Sequence, residues 1–196
     1  MANPSPRAIP LEHRFFRACA VSLLVAALFC DVILANPLVS GNGPRTASAR
    51  YGELPKLKQL ELQMWELINH DRTAPSCMEE TQGRARPLQW DGRLAAVARA
   101  HSREMVSNRY FSHESTDGRL PAVRISRAGI QWRSIGENIA QSRDIAGAEV
   151  AFMNEPKFKQ NHRGNILNPN YTHVGVGIAE GPDGTLYITQ DFVQLP

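Results

Sequence analysis

Cysteine is nearly missing from the part of this chain that would fold. Three cysteines occur in 196 residues, and two of them, Cys19 and Cys30, bound an apolar segment near the N-terminus. Cys77 is then alone, and one thiol cannot close an intramolecular bridge, so the domain must stand on an apolar core. Its setting, a polar loop without a nearby histidine, reads as an incidental position and not as a nucleophile. An excess of one charge is missing too. With 22 Lys and Arg against 19 Asp and Glu, the formal net charge is +3, and the basic residues are scattered, which argues against nucleic acid as a partner. There is no HExxH motif, no serine or cysteine in a recognisable nucleophile motif, and no internal repeat. That argues against the best-understood hydrolase classes.

A long apolar run is missing as well. "CAVSLLVAALFC", residues 19–30, falls short of the roughly 20 apolar residues of a membrane-spanning helix. It follows His13, Arg14 and Arg17, and "VILA" extends it past Asp31 to Ala35. A charged start followed by a short apolar run is the pattern of an export signal. Residues 1–35 are therefore expected to be a signal peptide cleaved after Ala35, or else an uncleaved signal anchor giving membrane attachment through residues 19–35. Either outcome places the folded part outside the cytoplasm, secreted or anchored. Residues 36–55, rich in Gly, Pro, Ser, Ala and Asn, read as a flexible linker. The domain is expected over residues 56–196.

Its composition is ordinary for a globular protein, with 42% hydrophobic and 21% charged residues. Leu57, Leu60, Leu62, Met64, Leu67 and Ile68 predict a first helix with one apolar side, stopped at Pro75. "RPLQW" reads as a short extended stretch. Asp91 is placed to cap a long second helix carrying Leu94, Val97, Ala98, His101 and Met105 on one face. "LPAVRISRAGI" predicts a short helix closed by Gly129, and "DIAGAEVAFMN" another capped by Asp144. "HRGNILNPNY" reads as a turn-rich connection. "THVGVGIAE" and "TLYITQDFVQ", joined by "GPDG", predict an antiparallel hairpin. Helices first and a sheet formed late make an α+β arrangement.

Among the polar residues, Glu137 in "SIGENIAQSR" raises a question. A carboxylate flanked by Gly136 and the apolar pair Ile139 and Ala140 needs a partner, because an unpaired buried charge is costly. A helix terminus, a structural arginine or a cluster of titratable groups would each serve. Gly136 offers the backbone freedom to turn there. His70 is expected to be exposed, His101 to be a structural histidine in or near the core, and His173 could point either way. His113 and His162 lie in polar loops, and Glu155 precedes His162 by seven positions. Spacing alone does not bring these residues together.

Six segments in order, "PLQWDGRLAAVARAHSREM", "YFSHESTDGR", "RISRAGI", "GENIA", "NHRGNILNP" and "THVGVGIA", resemble the CAP superfamily of cysteine-rich secretory, antigen 5 and pathogenesis-related proteins, also called SCP-like extracellular proteins. The missing disulfides and the "HRGNIL…HVGVG" ending are similar to its bacterial branch. The resemblance runs from about Leu60 to Phe192. It implies a three-layer α-β-α sandwich with a small antiparallel sheet between helices, and a cleft lined by two histidines and two glutamates. Carried over by residue, these are His113, Glu137, Glu155 and His162. His113 or His162 thereby becomes the expected partner of Glu137 across the cleft. Phe152 stands near the place of the family's usual Trp. Asn69 and Arg72 match an "N-x-x-R" motif that is chiefly structural, and Tyr187 and Gln190 are expected at the cleft rim.

Such a tetrad is compatible with several roles. Two imidazoles can hold Zn or another divalent metal ion, with His113 and His162 as ligands, while the carboxylates orient them or act as acid and base. That is a metal-dependent, protease-like hydrolase. Members of the family are mostly described as binding or signalling modules, which implies a non-catalytic protein binding a lipid, glycan or protein ligand outside the cytoplasm. A third role is a cleft that keeps shape only, with partners bound through the outer helices.

Overall fold

The hairpin expected at the C-terminus forms the middle of the sheet. In the computed structural model, which describes residues 54–157 and 160–196, β3 (His173–Glu180) and β4 (Leu186–Gln194) pair antiparallel around a turn in which Gly184 has φ +80°. β2 (Ser134–Ser142) pairs antiparallel with the other side of β4, and β1 (Gln89–Trp90) lies parallel to β3. The strand order is β1-β3-β4-β2. The sheet is thus not purely antiparallel as expected, because "RPLQW" supplies a two-residue parallel edge strand. The export segment at 1–35 and nearly all of the linker lie outside the described residues. Among the described residues no helix is long and apolar enough to cross a membrane.

The helices are α1 (Lys56–Thr73), α2 (Pro75–Thr81), α3 (Gly92–Asn108), α4 (Pro121–Arg127), α5 (Ile145–Met153) and α6 (His162–Leu167). Asp91 and Asp144 cap α3 and α5 as expected, accepting from Arg93 N and Leu94 N, and from Gly147 N. Gly129, at φ +74°, closes α4. Pro75 both stops α1 and opens α2, since the first position of a helix needs no backbone donor. Cys77 consequently sits in a helix and is buried, not in a polar loop. "HRGNIL" likewise forms a short helix, with the Asn161 side chain accepting from Gly164 N at its start. β2 has no counterpart among the sequence expectations.

Side chains alternate between the two faces of the sheet. Val174, Val176 and Ile178 of β3 and Ile188 and Phe192 of β4 join Met64 and Ile68 of α1, Ala148 and Phe152 of α5 and Ile166 of α6 in the main core. The opposite face carries Gly175 and Gly177, on which α3 lies so closely that a Cβ at Gly177 would stand 1.9 Å from Arg99 N. Leu94 of α3, Ile125 of α4, Ile130 and Val193 make a second, smaller core there. Helices therefore cover both faces, the three-layer α+β arrangement. Beyond β1 the outer edge of β3 is covered by Glu61, fully buried, which pairs with Arg99 through two bonds of 2.6 Å and accepts from Ile178 N. A capped edge of this kind is protected from pairing with another chain.

Asn69 and Arg72 hold α1 to its surroundings. Asn69 accepts from Leu88 N and donates to Leu88 O, and Arg72, fully buried, donates to Arg86 O, Ile166 O and Asn168 O. Gly136 is not at a turn; it lies within β2. A Cβ there would stand 2.6 Å from the Tyr171 hydroxyl and 2.7 Å from Asn165 Oδ1. Glycine is needed for close approach. Gly136→Ala is expected to cost about 1–3 kcal/mol, the usual range for an overfilled site, read as a lower urea midpoint with an unchanged slope.

Candidate functional site

β2 passes beneath the mouth of a cleft and sends neighbouring side chains to opposite faces. Glu137 points toward the α3 and α4 side, and its side chain is only 2% exposed. His113, on the loop after α3, meets it with Nδ1 2.7 Å from Glu137 Oε1. A carboxylate only accepts, so Nδ1 carries the proton and Nε2 is left for the cleft. The other Glu137 oxygen accepts from Arg124 of α4. The same guanidinium also donates to His113 O at 2.8 Å and Arg119 O at 2.9 Å, tying the His113 loop to α4. Glu137 thus has both a histidine and a structural arginine as partners.

The second pair is built differently. Glu155 follows α5 and His162 opens α6. Glu155 Oε2 accepts from His162 N at 2.8 Å, and Oε1 lies 2.6 Å from His162 Nδ1. These side chains are 29% and 32% exposed. Partial burial raises the Glu155 carboxyl, but the bonds from His162 outweigh this and hold it below the usual carboxylate range. Phe152, near the place expected to hold Trp, stacks on the His162 ring with centroids 4.6 Å apart. Loss of the larger indole therefore leaves a ring contact in place.

On the α6 face of β2 an amide network joins the two halves. Asn138, fully buried, donates to His162 O at 3.1 Å and to Gln190 Oε1 at 2.9 Å, and accepts from Asn165 at 2.8 Å. Gln190 in turn donates to Glu149 at 2.9 Å. Burial pushes the Glu149 carboxyl up to about 8. The His162 backbone is therefore tied through side chains to a buried acid of α5.

His113, Glu137, Glu155 and His162 all line one cleft of about 610 Å³. Amide side chains supply much of the remaining lining, from Gln160, Asn161, Asn165 and Asn168, with Ile135 and Tyr171 the larger apolar side chains among the described residues. Tyr187 and Gln190 are not at the rim. Gln190 is fully buried in the network above, and Tyr187 pairs with Ala179 and Gln141 in the sheet, outside the cleft lining. His70 is exposed, and His101 is fully buried with Nε2 2.9 Å from Ser112 O. Arg124 and Asp191 were not expected from the sequence. A signal for the last was present: "TQD" is a polar run inside an apolar strand, which calls for buried partners.

The same geometry bears on a metal. Each histidine carries a carboxylate on Nδ1, the arrangement that orients imidazole ligands in metal sites. Among the described residues, however, no three His, Cys, Asp or Glu side chains form a group that could hold an ion. Two imidazoles are one ligand short of the three protein ligands of a catalytic zinc site.

Comparison with known proteins agrees with the fold and the order of segments. The family model for the cysteine-rich secretory protein (CAP) family matches residues 65–192. The Bacillus subtilis protein YkwD is 38% identical over 134 residues, 68% of this chain and 46% of that protein. The Bacillus subtilis membrane protein YlbC is 32% identical over 149 residues, 73% of this chain and 40% of that protein. The chain thus spans less than half the length of either relative. A solved extracellular protein with an SCP domain from Bacillus anthracis matches 70% of this chain and 42% of its own, at 30% identity and TM-score 0.56. A cysteine-rich secretory protein from Staphylococcus aureus matches 72% of this chain and 40% of its own, at 17% identity and TM-score 0.54, a likeness of fold alone.

Proposed function

The chain belongs to the cysteine-rich secretory protein (CAP) family, and on that premise we propose that it is an extracytoplasmic, non-catalytic binding module whose cleft takes a polar, hydroxyl-rich ligand, a cell-surface glycan. The observation that carries this reading is the chemistry of the lining. Amides, carboxylates and imidazoles present donors and acceptors in fixed directions, which suits sugar hydroxyls, while among the described residues Ile135 and Tyr171 supply the larger apolar surface. An acyl chain needs a mostly apolar pocket, so the glycan is favoured over the lipid. The extracytoplasmic setting is supported by the apolar segment at residues 19–30 and by the similar Bacillus anthracis protein being extracellular. The metal-dependent hydrolase alternative is less well supported, since among the described residues no third ligand joins the two histidines.

Calorimetric titration of the protein with soluble peptidoglycan fragments and chitooligosaccharides, with phosphatidylglycerol vesicles in parallel, tests the proposal. Binding of a saccharide, weakened about tenfold or more by Gln160→Ala and by His162→Ala, is expected; tenfold is about 1.4 kcal/mol. Thermal unfolding of each variant accompanies the titration, because Glu155 loses a partner in His162→Ala. Vesicle binding without saccharide binding overturns the glycan assignment. Zinc bound by the wild type and lost in the His113→Ala, His162→Ala double variant favours the hydrolase.

A further inference from the structure

Asp191 of β4 is paired directly across from Glu137 of β2, so the two carboxyls leave the sheet on the same face. Asp191 is fully buried, and among the described residues no donor reaches either of its oxygens. A buried carboxylate in that position would be left without compensation, which native interiors rarely allow. Its cross-strand neighbour is Glu137, whose two oxygens already accept from His113 and Arg124. Two carboxyls side by side and away from water cannot both ionise. Glu137 faces the guanidinium and keeps the charge. The proton then belongs on Asp191, and a protonated carboxyl is a donor.

We propose that Asp191 is a positioning residue, a permanently neutral carboxylic acid that donates to Glu137 and so holds it against His113. Glu137 then accepts from three donors, His113, Arg124 and Asp191, and has no freedom to rotate. The Nδ1–H tautomer of His113 is fixed in consequence, with Nε2 kept for the cleft. Burial and the neighbouring Glu137 push Asp191 well above the usual carboxylate range, with Arg124 pulling the other way. The remaining titratable group that faces Glu137 is His101, itself lowered by burial and 3.8 Å from Glu104. The Glu155–His162 pair, about a third exposed, has no such buried acid. The two histidines are accordingly held differently: His113 by a buried carboxylate, His162 by a part-exposed one and the stacked Phe152 ring. This inference does not depend on which ligand the cleft takes.

Two spectroscopic readouts on the full chain test it at pH 7. In the infrared, the wild type minus D191N difference spectrum is expected to carry the carbonyl stretch of a protonated carboxylic acid. In nitrogen-resolved NMR, His113 is expected as a single Nδ1–H tautomer in the wild type and in D191N, whose amide can still donate, and as a tautomer mixture in D191L, which cannot. A difference spectrum without that band overturns the proposal, as does a D191L variant that keeps the wild-type tautomer. Where D191L does not fold, the infrared difference and the D191N tautomer decide by themselves.

Discussion

Replacing Arg124 by methionine is expected to lower the stability of the domain by about 3–5 kcal/mol, the range for removing one partner of a buried ion pair. The side chain is 5% exposed. Its Nη2 donates to Glu137, and its Nη1 reaches His113 O, Ser115 Oγ and Arg119 O. Methionine restores most of the volume and none of the donors. Glu137 would then lose the one cation paired with it, and three acceptors of the His113 loop would lose their donor. The loss is therefore electrostatic and local at once. Urea denaturation measures it, with Arg119→Met as the control. That arginine pairs with Asp117 at the surface, where solvent screens the interaction, and its midpoint is expected to move little. Equal midpoints for Arg124→Met and the wild type would remove the buried pair from the account of the site.

A second large effect is tied to pH. Glu149 is 3% exposed, and burial raises its carboxyl from 4.5 to about 8. The unfolded chain releases this proton near 4.5, whereas the folded chain keeps it until about pH 8. Between those values the folded state holds one proton more, so its stability falls as pH rises through the window and levels off above it. At about 1.4 kcal/mol per pH unit, the full span is on the order of 5 kcal/mol. Glu149→Gln imitates the protonated acid, since its amide oxygen can accept from Gln190 and its nitrogen can donate where the acid proton would, toward Asp71. The variant is expected to match the wild type near pH 5 and to exceed it near pH 9. Chemical denaturation at a series of pH values checks this, and parallel curves for the two proteins would refute it.

Much of the fold was legible from neighbours along the chain. Asp91 and Asp144 cap helices because a side-chain oxygen two or three residues from a free backbone N–H has only one sensible partner. The final hairpin was legible from alternation and a glycine turn. β2 was not. Its face-to-face burial gives no alternation, and a glycine, a glutamate and an asparagine in succession disguise a strand whose polar side chains are satisfied from both sides of the sheet. The parallel pairing of β1 with β3 was hidden for a related reason, since two residues carry no period.

The candidate tetrad divides along the same line. His113, Glu137, Glu155 and His162 could be chosen from the order of six segments, because that order is a property of the sequence. Which carboxylate meets which histidine could not. The partners in one pair belong to a loop and a strand, those in the other to two ends of one short connection, and only the closed sheet decides the match. By itself the sequence determined the helix caps, the hairpin, the family pattern and the lone cysteine of the domain, all set by local bonding or by order along the chain. The tertiary structure alone decided that Arg124 and Asp191 stand behind Glu137, since a buried charge is defined by everything that surrounds it and those groups meet only after β2 and β4 have paired.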